Sequence, residues 1–158
     1  MNVRAKVTEQ NYPDTGRHNR HMLLFSFYDE HNNQVGRAEV DLEKHAGGIG
    51  AIVNWMEVYP LFQEKGVGVI QNHLIESELH KRGIGKVGLV ASRRPARFWR
   101  REGYQKAKPD SSGRFSFTKC LNCKARPAVH HHGKHPCCGS ALCHYAITVQ
   151  HLVNGENF

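Results

Sequence analysis

Nothing in this 158-residue chain approaches the run of about 20 apolar residues that a membrane span needs. Residues 1–9 also lack the apolar core of a signal peptide, so the sequence reads as soluble, intracellular and cytoplasmic, with no membrane partner. Acidic side chains are in short supply: 14 Asp and Glu stand against 22 Lys and Arg, a formal net charge of +8. That balance favours an anionic partner, and a phosphate-rich cofactor or a nucleic acid satisfies it equally. The common nucleotide signatures are missing. A P-loop requires Lys-Ser or Lys-Thr after its last glycine, and no G-x-G-x-x-G opens a helix. There is no internal repeat, and low complexity is confined to His130, His131 and His132. The length bounds the chain to one ordinary domain with a small appendage.

What is present alternates between strand and helix patterns. Residues 22–28 are strand-like, 29–33 are turn chemistry and 34–42 alternate in period two, which together predict a hairpin. Gly47, Gly48 and Gly50 read as a plain strand connection into a strand over 51–58. A helix follows to about Arg82, with Val67, Ile70 and Leu74 at helical spacing and Ile75 and Leu79 widening the stripe. Lys81, Arg82 and Gly83 mark its end. Residues 86–92 form a short buried strand. Pro95 suits the first turn of a second helix ending at Gly103, and 114–119 alternate as a closing strand.

The stretch from Val58 to Gly68 carries the most information. A strand breaks at Pro60 into a glycine-rich turn that opens a helix, and such a turn aims backbone N–H groups at an anion. Gly66 and Gly68 let a diphosphate approach the main chain without meeting a Cβ, while the helix dipole adds positive potential.

The string Gln63-Glu64-Lys65-Gly66-Val67-Gly68 resembles the Gln/Arg-x-x-Gly-x-Gly/Ala signature of the GNAT acyltransferases. The upstream Val58-x-Pro60 and a later stretch at 96–104, Ala-Arg-Phe-Trp-Arg-Arg-Glu-Gly-Tyr, fit the same family in the same order. The resemblance covers residues 1–119, clear from residue 51 onward and faint before it. It implies an α+β fold with a mixed, mostly antiparallel sheet and flanking helices, acetyl-CoA as co-substrate, and transfer to a primary amine. Val58, Gln63, Glu64, Lys65, Gly66, Val67, Gly68 and Val69 become the cofactor-binding residues. The amides of Lys65 to Val69 would hold the diphosphate, and a backbone N–H near Val58 would stabilise the oxyanion.

Acyl transfer needs a neutral amine. With a pKa of ~10.4, a lysine-like amine is only about one part in a thousand neutral near pH 7.4, a deficit of roughly 4 kcal/mol. A thiol of pKa ~8.5 leaves at small cost, so the base matters more than the acid. Glu57, beside Val58, is the first candidate base; the competing reading is an outward-facing strand carboxylate. Glu39, Glu43 and several histidines are weaker alternatives. Family members often place a tyrosine four residues before the glycine of the later motif as a general acid. Here Trp99 stands there, and an indole cannot donate its proton at neutral pH.

Arg93, Arg94, Arg97, Arg100 and Arg101 crowd nine residues around Phe98 and Trp99, a mixture suited to nucleic acid or a nucleic-acid-bound protein. The plainer reading is an amphipathic helix with Phe98 inward and a solvated arginine face. All five cysteines follow residue 119. Cys120-x-x-Cys123 and His135-x-x-Cys138, separated by an 11-residue spacer, look like the knuckles of a zinc ribbon, with Cys137 or Cys143 as substitutes for His135. Disulfides need an oxidising compartment, and the odd thiol count argues against them. Four protein ligands leave no open position, so the zinc is structural. The histidine run reads as solvated loop, and residues 145–152 read as a strand that docks the module back on the sheet. The sequence thus divides into an acyltransferase domain at 1–119 and a zinc-binding extension at 120–158. The rival readings are a GNAT-fold binding protein without activity and a nucleic-acid module with no cofactor.

Overall fold

The structure, a computed structural model, describes residues 1–13, 19–45, 48–91, 93–106 and 115–121. These form two compact units that divide between Ile84 and Gly85.

The first unit opens with four antiparallel strands, β1 (Arg4–Pro13), β2 (Asn19–Tyr28), β3 (Gln34–His45) and β4 (Gly48–Val58). The expected hairpin is β2–β3. Its turn is tied by Asp29, whose Oδ1 accepts from the amides of His31 and Asn33 at 2.9 Å each, while Asn32 takes φ 64°. Alternate residues of each strand share a face. Leu23, Phe25 and Phe27 of β2, Ala38 and Val40 of β3, and Ala51 and Val53 of β4 are buried together. Enclosing each large side chain stabilises the fold by about 1.5–3 kcal/mol.

A 3-10 turn, Pro60–Phe62, leads to α1 (Val67–Lys81). The buried face of α1 differs from the expected stripe. Val67, Gln71, Asn72, Ile75 and Leu79 are enclosed, whereas Ile70 and Leu74 lie half-exposed at the rim. The i, i+4 row from Val67 through Gln71, Ile75 and Leu79 faces inward, so apolarity alone misplaces the helix axis by part of a turn. At the helix end, Arg82 bonds Glu78 Oε1 at 3.0 Å and also pairs with Glu9 of β1. His21 Nε2 meets the other oxygen of Glu9 at 3.0 Å.

Strand β1 has no counterpart among the sequence expectations. Its inner face offers only Ala5 and Val7 before Glu9, too few apolar positions for a period-two signal. Gly48 and Gly50, read as part of a connection, lie inside β4.

The second unit holds β5 (Lys86–Ala91), α2 (Arg93–Arg101), β6 (Gln105–Lys106) and β7 (Phe115–Cys120), with β7 antiparallel to both β5 and β6. Trp99 and Tyr104 are buried and meet edge-to-face at 5.1 Å, and Phe98 meets Trp99 at 4.9 Å. The inward anchor of α2 is therefore Trp99; Phe98, expected to fill that role, is half-exposed. Lys119 is also buried, its Nζ donating to Glu102 O at 2.6 Å and lying 5.6 Å from the Tyr104 ring. A cation there faces the negative pole of α2. No helix among the described residues is long and apolar enough to cross a membrane.

Candidate functional site

The end of β4 is built by the proline. Tyr59, extended at φ −66° and ψ 146° as a residue before proline must be, donates its N–H to Val35 O at 2.9 Å and closes the ladder with β3. Pro60 then begins the 3-10 turn, and Phe62 N–H bonds Tyr59 O at 2.8 Å. The chain next turns through two left-handed residues, Glu64 at φ 62° and Gly66 at φ 76°, and Gly66 is the N-cap of α1. Gly66 has no side chain with which to cap, and the first turn of α1 carries no acidic residue. The leading amides of α1 are thus left without a side-chain acceptor, at the positive end of a 15-residue helix. Left-handed residues in such a loop turn successive N–H groups toward a common point, a concavity suited to an anion.

Two glutamines tie this loop to the strand. Gln63 Nε2 donates to Val58 O at 2.9 Å, and Gln71 Nε2, from the second turn of α1, lies 3.4 Å from Glu57 O. Of the residues expected to bind the cofactor, Val58, Gln63, Glu64, Lys65, Gly66, Val67, Gly68 and Val69 all lie in this one segment. Glu64, Lys65 and Gly66 are exposed, Gly68 is half-buried and Val69 is exposed, while Val67 turns its side chain into the core. Sequence reasoning passed over Gln71. Its one signal is a polar residue interrupting an otherwise apolar row.

Glu57 sits on the opposite face from the core. A bulge in β4 accounts for this: Val53 faces Val40 and Trp55 faces Glu39, so Asn54 is an extra residue that shifts the later alternation. Glu57 then faces Arg37, whose Nε lies 3.0 Å from its Oε2, with both side chains about half exposed. The guanidinium also lies over the Trp55 ring at 5.1 Å, and the Glu57 hydrogen bond holds Arg37 further above its already high range. Asn54 Nδ2 bridges Glu39 Oε1 at 3.0 Å and Asp41 Oδ2 at 3.2 Å. Glu43 pairs its backbone with Gly50, but its side chain lies outside the described residues.

On α2, Arg97 and Arg101 are exposed and Arg100 is half-buried, its guanidinium 6.0 Å from the Phe117 ring. Arg93 and Arg94 belong to the same helix, with side chains outside the described residues. Cys120 is the buried last residue of β7. Cys123, His135 and Cys138 lie outside the described residues, as do Cys137, Cys143, the histidine run and residues 145–152. Among the described residues no three potential metal ligands converge.

No protein-family model matches the chain, and no curated protein matches it. Solved structures do, and they are GNAT-family acetyltransferases. The PaiA N-acetyltransferase of Thermoplasma acidophilum, determined in complex with coenzyme A, is 20% identical over 63% of this chain and 60% of its own, with a TM-score of 0.53. The ribosomal-protein-S18-alanine N-acetyltransferase of Escherichia coli is 18% identical over 66% and 72%, at 0.51. A GNAT-family acetyltransferase from Staphylococcus aureus is 14% identical over 63% and 68%, at 0.52. The chain has a GNAT-like fold. At such identities the likeness belongs to the backbone path and leaves the chemistry to this chain's own residues.

Proposed function

We propose that this chain is an acetyl-CoA-dependent N-acetyltransferase acting on a primary amine carried by a nucleic acid or a nucleic-acid-bound protein. The observation that carries the reading is the uncapped first turn of α1, preceded by left-handed Glu64 and Gly66 and tied to the end of β4 by Gln63. The loop amides from Lys65 to Val69 bind the diphosphate of the donor, and the N–H near Val58 faces the thioester carbonyl. Attack forms a C–N bond and breaks the C–S bond. The amine proton passes to Glu57, which must first exchange its Arg37 partner, and sulfur leaves as a thiolate that needs no acid at a thiol pKa of about 8.5. The exposed Arg97 and Arg101, with the net charge of +8, support a polyanionic acceptor carrier.

Calorimetry with coenzyme A, followed by thiol release from acetyl-CoA in the presence of histone-like peptides, nucleic acids and polyamines, tests the reading. Binding with turnover that falls steeply in Glu57→Gln supports it. Absence of any heat with coenzyme A refutes it.

One observation favours a second reading. Trp99, standing where relatives often carry an acid, is enclosed between Phe98 and Tyr104, and Glu57 is held in an ion pair. A binding protein that keeps the fold and transfers nothing would hold coenzyme A without turnover, unaffected by Glu57→Gln.

Residues 120–158 are proposed to form a module holding structural zinc through Cys120, Cys123, His135 and Cys138. The thiol at the end of β7 suits such a site, since thiolate is a preferred zinc ligand. Native mass spectrometry under reducing conditions should find one zinc per chain, and a metal-free mass removes the module.

A further inference from the structure

The inner face of α1 contains a feature that burial alone does not explain. Gln71 and Asn72 are both completely enclosed, in places where helical periodicity calls for apolar side chains. Asn72 directs its amide at Glu76 Oε1, 3.1 Å away. Gln71 points its Nε2 at Glu57 O, while its Oε1 finds no hydrogen-bond partner among the described residues. A sealed acceptor without a partner detracts from stability, and methionine or leucine at that position would remove the penalty.

The surroundings are shaped to receive this amide. Gly36 on β3 faces Val58 in register, and a Cβ on it would lie 2.1 Å from Gln71 Nε2 and 2.2 Å from Glu57 O. Glycine inside a strand is itself unfavourable and marks a place where something approaches the backbone closely. Two locally unfavourable choices, one on a strand and one on a helix, therefore meet at a single carbonyl. At 3.4 Å the hydrogen bond is weak by itself, and the fit against Gly36 adds the restraint.

That carbonyl matters because of what shares its peptide plane. Glu57 C=O and Val58 N–H are opposite ends of one rigid unit. Tyr59 N–H points at β3 through its bond to Val35 O, so alternation along the strand sends Val58 N–H toward the other edge. Holding the oxygen fixes the direction of the hydrogen.

We propose that Gln71 is a positioning residue. Its buried amide locks the Glu57–Val58 peptide and sets the aim of the Val58 N–H relative to the loop that follows it and leads into α1. The catalytic consequence rests on the acyl-transfer reading; the restraint itself does not. The test compares wild type with Gln71→Met, which keeps the volume and removes both polar atoms, and with Gln71→Leu.

Melting temperatures should stay equal or rise. Hydrogen exchange at the Tyr59 amide should accelerate about tenfold while Ala51 and Val53 exchange as before. In acetyl transfer, kcat should fall on the order of tenfold with coenzyme A affinity changed by no more than about twofold. Unaltered exchange at Tyr59 in both variants overturns the proposal. So does a lowered melting temperature with protection lost evenly along β4, which is the signature of packing alone. If wild type binds no coenzyme A, the acyl-transfer reading falls, and the exchange result still decides for or against Gln71.

Discussion

Gln63 reaches back five residues to donate its side-chain Nε2 to Val58 O at 2.9 Å, so the loop and the strand end move as one piece. The bond is exposed, and its net worth to folding is about 0.5–1.5 kcal/mol at most. Gln63→Leu should therefore unfold in urea within about 1 kcal/mol of wild type. Coenzyme A affinity should fall by on the order of tenfold, because the loop loses its preorganisation. Paired denaturation and calorimetry check both halves.

Gly36→Ala should be far more damaging than its chemistry suggests. The added carbon meets the Glu57 carbonyl as well as the Gln71 amide, and a backbone atom cannot swing aside. Overpacking of this kind costs about 1–3 kcal/mol, read as a lower urea midpoint at unchanged slope. Combining it with Gln71→Ala should recover only part of the loss, since the carbonyl contact remains.

Glu64 holds a left-handed backbone, φ 62°, that glycine adopts without strain. Its carboxylate also stands in the loop assigned to a diphosphate. Glu64→Gly should leave stability within about 1 kcal/mol, the relief of strain offsetting the added chain entropy. Coenzyme A affinity should rise, most visibly at low salt where the removed repulsion is least screened. Titrations at two ionic strengths decide it.

Acid should loosen the contact between β1 and the end of α1. The Arg82 hydrogen bond, followed by that of His21, holds the Glu9 carboxyl below its ordinary value of 4.5 despite some desolvation. Because the folded value lies below the unfolded one, the unfolded chain takes up the proton more readily. The stabilisation is fully present above pH 4.5 and is lost as the pH falls through the lower, folded value. Glu9→Gln should melt below wild type at pH 7, and the gap should close progressively below pH 4.5.

The path through the candidate site was legible in the sequence because each of its bends is forced by a residue with few options. Pro60 ends the ladder, and Gly66 supplies the left-handed cap. Less of the framework could be read. Strand β1 shows its neighbours mostly polar side chains, and β6 is only two residues long. The face of α1 escapes periodicity because Gln71 is buried against Gly36 and Glu57, residues distant in sequence. Trp99 stands out in the sequence where the GNAT resemblance leads one to expect tyrosine, but its enclosure by Tyr104 depends on the fold. Glu57 carries the plainest lesson. Both of its readings, base and outward carboxylate, were visible, while its Arg37 partner lies 20 positions away and emerges only from strand register.

The extra residue at Asn54 governs more than its own bonds. Were Asn54 paired regularly instead of bulged out, alternation from Val53 would carry Trp55 and Glu57 into the oily interior and push Met56 out to water. Strand register between Val53 and Pro60 thus decides which side chains meet solvent. Closing the bulge with every residue retained would invert the chemistry presented to solvent, whereas deleting Asn54 itself, or substituting side chains while the bulge persists, would leave that orientation intact.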